Sequence, residues 1–254
     1  MTQNSFTEIF PEVKKVFLNK WEKAAKASGI PKEAYEHQLR LVEDPSGNSK
    51  YNFCVMFNIY RSKYKRPAQS EGCPLCNAVN LVEKNPKRAV TNSPLPNSVI
   101  IPNIFPTMYG ASLIISTQKQ DNHVPIHNTS NLKGLEDKLS KLFKFGNETG
   151  WQIHYNTEGA GASIPWHDHS HLMNFGNFFN KINRIYGYEN PDLNLKKVNN
   201  QVYKLENFPF FHLIFPEKEV GKISHFLKNL GKQMGSKFEQ GFVPHWICQG
   251  KKGF

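Results

Sequence analysis

Residues 158–171 read EGAGASIPWHDHSH, a run rich in Gly and Ala that leads into three histidines at every second position. Side chains of a β-strand alternate between its two faces, so His167, His169 and His171 would share one face of a strand. Such a row can be a polar stripe that faces solvent. The preceding run favours a binding site instead, because a backbone almost free of side chains can approach a phosphate group closely. We therefore expect a phosphate-binding loop beside a row of imidazoles.

An imidazole beside a phosphate-binding loop suits nucleotidyl transfer. A histidine nucleophile divides one displacement at phosphorus into two steps, and it stores the nucleotidyl group as a phosphoramidate. Ser163 adds a hydroxyl group at the end of the loop. The residues of this stretch therefore indicate chemistry on a phosphorylated substrate.

The rest of the chain predicts an α+β fold in which helices cover an antiparallel sheet. Apolar periodicity predicts helices over 6–28, 131–146 and 224–235, and Gly146 is expected to end the second helix. Runs of β-branched and aromatic residues predict strands at 51–60, 97–101, 111–116, 151–156, 167–175, 201–206, 210–215 and 241–250, with the sixth and seventh paired. Because these strands mostly follow one another through short turns, an antiparallel sheet is favoured over a parallel one.

The composition predicts a soluble protein. With 254 residues, the chain is long enough to bury a core of its own. Its longest apolar runs are too short to cross a bilayer, and its first ten residues do not resemble a signal peptide, so we expect a cytoplasmic location. The formal net charge of +11 favours anionic partners, without choosing between nucleic acid and phosphorylated small molecules.

Cys73 and Cys76 form a C-x-x-C motif, with a turn of the backbone expected between them. In a reducing compartment this spacing suits two thiolates that bind one tetrahedral zinc ion. A redox pair and two buried cysteines remain open as alternatives. Zinc needs two further ligands, for which the chain offers His123, His127 and the histidine row.

The stretch NTEGAGASIPWHDHSH, residues 156–171, resembles the active-site motif of the histidine triad superfamily. It is most similar to the transferase branch, which includes galactose-1-phosphate uridylyltransferase and the dinucleotide and nucleotide-sugar phosphorylases. The resemblance implies a histidine-triad-like catalytic domain over residues 46–254. Residues 1–45 match no part of the family, and their apolar periodicity predicts a helical extension. The resemblance also implies that His169 accepts a nucleotidyl group from a dinucleoside polyphosphate or a nucleotide sugar. His171 and Ser163 would hold the phosphate oxygens.

The resemblance further implies a metal site and a nucleotide site. A structural zinc ion would be held by Cys73, Cys76, His123 and His167, with no open position for water. Contacts to base, ribose and phosphate would come from six residues: Asn103, Phe105, Asn156, Gly161, Ala162 and His212. Phosphate or a sugar phosphate would be the second substrate. Neither a membrane nor nucleic acid is expected as a partner, and dimerisation is left open.

Two departures from the branch's pattern keep other functions open. Trp166 is an extra residue before the first histidine, and His171 stands where the branch usually has Gln, as in histidine triad hydrolases and phosphoramidases. A hydrolase would use water as the acceptor. A repurposed zinc-containing scaffold, or a basic nucleic-acid-binding protein without turnover, is the remaining alternative. Asp168 and Ser170 are polar where the hydrolases prefer apolar residues, so we expect the reverse face of the strand to be less covered.

Overall fold

A computed structural model describes residues 11–35, 38–42, 53–57, 60, 72–117, 132–149, 151–155, 164, 167–173, 195–199, 202–205, 213, 220–234 and 246–248. Its helices are α1 (Pro11–Ala27), α2 (Pro74–Lys84), α3 (Leu132–Thr149) and α4 (Val220–Met234). Its strands are β1 (Gln38–Val42), β2 (Phe53–Phe57), β3 (Thr91–Asn92), β4 (Ser98–Pro102), β5 (Ser112–Ser116), β6 (Gln152–Tyr155), β7 (His169–Met173), β8 (Leu195–Asn199), β9 (Val202–Leu205) and β10 (Trp246–Cys248). None of the described helices is both long and apolar enough to cross a membrane.

Six strands form one sheet in the order β10-β6-β7-β5-β4-β3, and every neighbouring pair in it is antiparallel. β1 pairs with β2 and β8 pairs with β9, each as a separate antiparallel ribbon. The predicted α+β class with an antiparallel sheet is confirmed. The histidine strand β7 lies inside the sheet, between β5 and β6, so its backbone is hydrogen-bonded on both sides.

The sheet has one face covered by α1, α3 and α4 and another covered in part by α2. On the first face Ile100, Ile114 and Leu172 pack against the apolar residues of the three helices. On the second face Ile101, Leu113 and Ile115 pack against Leu75 and Val79 of α2. Adjacent residues of a strand thus serve opposite cores, as the period of 2 requires. The register places His169 opposite Ile115 and His171 opposite Leu113, so both histidines belong to the second face.

Helix α1 is part of the main core. Trp21 is fully buried, and its indole Nε1 donates a hydrogen bond of 3.0 Å to the carbonyl oxygen of Ala111. The hydroxyl of Tyr109 donates to the carboxylate of Glu22 on the same helix. The prediction of a helix over 6–28 that packs on the core is confirmed for the described residues. The pairing of β1 with β2 spans the predicted domain boundary at residue 45, and that boundary stays a prediction.

Gly146 does not end helix α3, so this prediction is wrong. The helix continues to Thr149, whose hydroxyl donates to the carbonyl oxygen of Phe145 at 2.7 Å. Gly146 is buried, and a Cβ atom there would lie 3.1 Å from the carbonyl oxygen of Trp151. Glycine therefore suits the close approach of the backbone at Trp151, and it is not needed for a left-handed turn.

Four of the labelled elements were not predicted, namely β1, α2, β3 and β8. The C-x-x-C segment is not only a turn, because Cys73 is the N-cap of α2 and Pro74 occupies the first helical turn, where a missing N–H costs nothing. Strand β9 pairs with β8, which the sequence analysis left unassigned. The segment 210–215, predicted as the partner of β9, lies outside the described residues except for Leu213.

Candidate active site

His169 is the first residue of β7 and is buried at 8% exposure. Its Nδ1 lies 2.7 Å from the carbonyl oxygen of His167. A carbonyl oxygen only accepts, so Nδ1 carries the proton and the neutral ring keeps its lone pair on Nε2. This tautomer is the one that a nucleophilic imidazole needs, and it is held by the backbone two residues earlier.

Burial lowers the pKa of His169 below the ordinary value of an imidazole. The hydrogen bond to His167 and the nearby Asp168 carboxylate act in the opposite direction, while the ammonium of Lys138 lowers the pKa further. The ring is therefore neutral at neutral pH, and its Nε2 lone pair does not have to lose a proton before it can react.

His171 and His154 extend this polar face beyond His169. The rings of His169 and His171 have centroids 5.5 Å apart. The register places His154 of β6 directly opposite His171, and Nε2 of His154 lies 3.2 Å from Oε1 of Gln152. His154 and Gln152 were not identified from the sequence. The signal was present, since Gln and His alternate with Ile and Tyr in QIHY beside the histidine row.

Cys73, Cys76 and His167 form a group that could hold a metal ion, with one ligand atom of each within 4.8 Å of the others. Nδ1 of His167 lies 3.3 Å from Sγ of Cys73 and 3.5 Å from Sγ of Cys76. Tetrahedral zinc bonds of ordinary length would separate sulfur and nitrogen ligands by about 3.6 Å. Donor types and spacings therefore both fit a zinc ion.

Ser116, at the end of β5, orients the segment between the metal group and His169. Its carbonyl oxygen lies 2.9 Å from Nε2 of His167, so this nitrogen donates and Nδ1 is left as the ligand atom. Its backbone N–H donates to the carbonyl oxygen of Asp168 at 3.1 Å. The metal group and His169 are thus joined through a continuous set of hydrogen bonds.

The reverse face of β7 is covered, contrary to the expectation from its polar residues. Ser170 is 1% exposed, and Ile114 beside it packs in the main core. Both carboxylate oxygens of Asp168 contact Nζ of Lys138 on α3, at 2.7 and 2.6 Å. The ammonium of Lys138 thus compensates the charge of Asp168, at a position where the hydrolases prefer an apolar residue.

Asn103 and Phe105 lie in the loop between β4 and β5. The backbone N–H of Phe105 donates to Oδ1 of Asn103 at 3.0 Å, and the ring centroids of Phe105 and Tyr60 are 5.9 Å apart. Asn103 therefore stabilises the turn itself, a local role for which short amide side chains are suited. Their contacts with a nucleotide stay a prediction.

Several predicted site residues lie outside the described part of the chain. They are the loop residues Asn156, Gly161, Ala162 and Ser163, the aromatic-strand residue His212, and the two candidate metal ligands His123 and His127. Among the described residues, the structure brings together Cys73, Cys76 and His167, and it places His169 and His171 on one face. The roles assigned to all of these residues remain proposals.

Comparisons with known proteins bear on the fold. No family model matches the chain, and no curated protein matches it in sequence. The crystal structure of yeast Ap4A phosphorylase Apa2 in complex with Ap4A is similar over 95% of this chain and 79% of that chain, with a TM-score of 0.54 and 17% identity. Another crystal structure of the same enzyme is similar over the same shares, with a TM-score of 0.52 and 16% identity.

The chain shares the fold of yeast Ap4A phosphorylase Apa2. The resemblance seen in residues 156–171 is confirmed at this level, since the likeness extends over nearly the whole chain. In this fold, the metal group, the buried His169 and the β6 pair of Gln152 and His154 lie on one face of the sheet. The helices on the other face of the sheet supply the apolar core against which the sheet packs.

Proposed function

We propose that this chain transfers a nucleotidyl group from a nucleoside diphosphate derivative to phosphate or a sugar phosphate through a covalent intermediate on His169. The observation that carries the proposal is the 2.7 Å hydrogen bond from Nδ1 of His169 to the backbone of His167. It leaves Nε2 as a neutral nucleophile on a face of the sheet that also bears His171 and His154.

The reaction divides into two displacements. In the first, Nε2 of His169 attacks the α-phosphorus, a nitrogen–phosphorus bond forms, and the bond to the bridging oxygen breaks, so the leaving phosphate takes the electron pair. In the second, an oxygen of the acceptor phosphate attacks the same phosphorus and the nitrogen–phosphorus bond breaks. The imidazole returns to its neutral state with the proton still on Nδ1.

The other predicted residues would bind the substrates. His171 and Ser163 hold the phosphate oxygens as charge develops. The backbone of Asn156, Gly161 and Ala162 cradles the phosphates, because N–H groups free of bulky side chains can approach an anion closely. Asn103 and Phe105 border the base and ribose, and His212 contributes a further contact. The excess of positive charge in the chain suits anionic substrates of this kind.

A dinucleoside polyphosphate is the first donor to test. The support is the fold shared with yeast Ap4A phosphorylase Apa2, whose crystal structure contains Ap4A. With this donor the chemistry above would place AMP on His169 and release ATP. Nucleotide sugars remain the second class of donor, with the sugar phosphate as leaving group.

We assign the metal group to a structural zinc ion held by Cys73, Cys76 and His167, with His123 as the proposed fourth ligand. The support is the fit of two thiols and one imidazole nitrogen to tetrahedral geometry. When bound, the ion supplies a fixed link between the start of α2 and His167. Cys73 and Cys76 are not joined by a disulfide, which suits a reducing compartment and is consistent with the cytoplasmic location that we expect.

Hydrolysis is the second candidate function, favoured by His171 at the third position of the row. Its ring is part-exposed and lies beside His169, where it could orient a phosphate or protonate the leaving group.

Incubation with Ap4A separates nucleotidyl transfer from hydrolysis. A phosphorylase yields ATP and ADP only when inorganic phosphate is present, whereas a hydrolase yields AMP and ATP with or without it. Absence of both reactions, with salt-dependent binding of oligonucleotides, would instead support a nucleic-acid-binding protein.

A further inference from the structure

Lys138 of α3 contacts the chain on both sides of the glycine-rich segment 156–166. Its Nζ binds both carboxylate oxygens of Asp168, at 2.7 and 2.6 Å. The same ammonium lies 5.3 Å from the ring centroid of Tyr155, within the range of a cation–π interaction. Tyr155 is the last residue of β6 before the segment, and Asp168 directly precedes His169.

This ion pair is better shielded than a surface pair. The side chain of Lys138 is 14% exposed and that of Asp168 is 34% exposed. One turn further along the same helix, Lys141 pairs with Asp137, with exposures of 38% and 58%. Exposed pairs contribute little to stability or geometry, so the Lys141 pair supplies an internal reference. The Lys138 pair is the one that reaches the sheet.

Lys138 belongs to α3, which covers the face of the sheet opposite to the one that bears His169. The backbone between the two contacts of Lys138 runs from the end of β6 to the start of β7, and β6 and β7 are hydrogen-bonded neighbours. A cation that binds both ends of this connection restrains their separation. The backbone carbonyl oxygen of Asp168 also accepts a hydrogen bond from Ser116. The main chain of Asp168 is therefore held by β5, and its side chain is held by α3.

We propose that Lys138 is a positioning residue for His169, because it fixes both ends of the segment 156–166 relative to the nucleophile. This inference rests on the proposed nucleotidyl transfer and deepens it. Asp168 stands where the hydrolases prefer an apolar residue, so the ion pair of Lys138 and Asp168 is a feature of this chain's own sequence. A cavity of about 240 Å³ borders Lys138, Asp168 and Ser170, which leaves room for substitutions at position 138 without overpacking.

The test compares Lys138→Met, Lys138→Arg and the matched control Lys141→Met in the full chain. The rate of nucleotidyl adduct formation is measured by intact-protein mass in quenched samples at several Ap4A concentrations. These data separate the maximal rate from the half-saturating concentration. We expect Lys138→Met to lower the maximal rate about tenfold to a hundredfold, the range that a misplacement of about 1 Å can cause. The half-saturating concentration should change much less.

Rescue distinguishes positioning from general destabilisation. Lys138→Arg retains the cation and should restore most of the rate, while Lys141→Met should match the unsubstituted protein. Asp168→Asn removes the same pair from its other end and should slow adduct formation similarly, with no further loss when combined with Lys138→Met. It also serves as the second variant if Lys138→Met fails to fold.

Equal rates in Lys138→Met and Lys141→Met would overturn the role of Lys138 and leave the proposed function intact. Additive losses in the combined variant would also overturn it, because the two side chains would then act separately. Absence of any adduct in the unsubstituted protein would overturn the proposed function together with this inference.

Discussion

At the scale of the residue, the site depends on which nitrogen of each imidazole is occupied. Nδ1 of His169 donates to the backbone of His167, so the lone pair of the neutral ring is on Nε2. His167 does the reverse, since its Nε2 bonds Ser116 and its Nδ1 faces the two thiols. Two histidines on one chain segment are thus held in opposite tautomers by two backbone carbonyl groups.

His154 should matter for catalysis although the sequence motif does not include it. It lies opposite His171, where side chains of paired strands are within about 5.5 Å of each other. We expect His154→Asn to lower kcat/KM for Ap4A about tenfold, the effect of losing one hydrogen bond to a charged group. The matched control is His225→Asn on the exposed face of α4, which should leave kcat/KM unchanged. Equal activity of the two variants would exclude His154 from the site.

The metal assignment predicts a loss of bound zinc on substitution of Cys73. Cys73→Ser removes one thiol ligand, and zinc content measured by elemental analysis of the purified protein should fall well below one ion per chain. Adduct formation should fall as well, because His167 would lose its anchor. Cys248→Ser, on β10, serves as the control and should retain the metal. Zinc retained in full by Cys73→Ser would contradict the assignment.

At the scale of the element, the turn before β5 shows why glycine occurs where it does. Gly110 has φ +84°, and a Cβ atom there would lie 2.8 Å from Cδ2 of Leu18 and 3.0 Å from the ring of Trp151. Gly29, which follows α1, has φ +71° with no atom within 4 Å of such a Cβ. The two glycines share a left-handed backbone but differ in the space around them.

This difference predicts unequal costs for the same substitution. Gly29→Ala should lower the free energy of unfolding by about 1–2 kcal/mol, the cost of a left-handed alanine. Gly110→Ala should lose about 1–3 kcal/mol more, because the methyl group also meets the buried Trp151 ring. Urea unfolding of both variants measures the difference. Equal losses would show that the contact of Gly110 with Trp151 does not limit the turn.

At the scale of the whole molecule, helix α1 is tied to the central sheet. Trp21 contacts a residue 90 positions away in sequence, through the hydrogen bond to Ala111, and it belongs to the same core as α3 and α4. Phe17 of the same helix lies against Trp151, with ring centroids 4.3 Å apart. The loop that follows β4 and the start of β6 are thereby held by an N-terminal helix.

We therefore expect Trp21→Ala to destabilise the whole fold. Loss of a fully buried aromatic side chain costs about 3–5 kcal/mol, and this residue also satisfies a buried carbonyl group. Lys20→Ala on the exposed side of the helix should change stability by no more than about 0.5 kcal/mol. Thermal unfolding followed by circular dichroism compares them. Similar stability of both variants would mean that α1 does not support the core in solution.

The sequence allowed the fold class and much of the histidine face to be predicted, because both rest on local periodicity. The period of 2 in HDHSH predicts that its histidines share a face, and the register confirms this for His169 and His171. The C-x-x-C motif and His167 could be linked only through the family resemblance. Cys73 and Cys76 lie 94 and 91 residues before His167 in sequence, and only the tertiary structure brings them close to it.

What could not be predicted depends on contacts between distant elements. Gly146 looked like a helix end, but its small size is needed for the approach of Trp151. Asp168 looked like an uncovered polar residue because its partner, Lys138, lies 30 positions earlier on a helix. The position of His154 beside His171 follows only from the pairing of β6 with β7.

The central claim is that His169 carries the nucleotidyl group, and the most direct test is the intact mass of the protein after brief incubation with Ap4A, ATP, ADP-glucose and UDP-glucose. The account predicts an acid-labile gain equal to one nucleoside monophosphate less water, present in the unsubstituted protein and absent in His169→Ala. The donor that gives the adduct identifies the base. An adduct of equal amount in His169→Ala, or steady turnover of a donor in that variant, would contradict it.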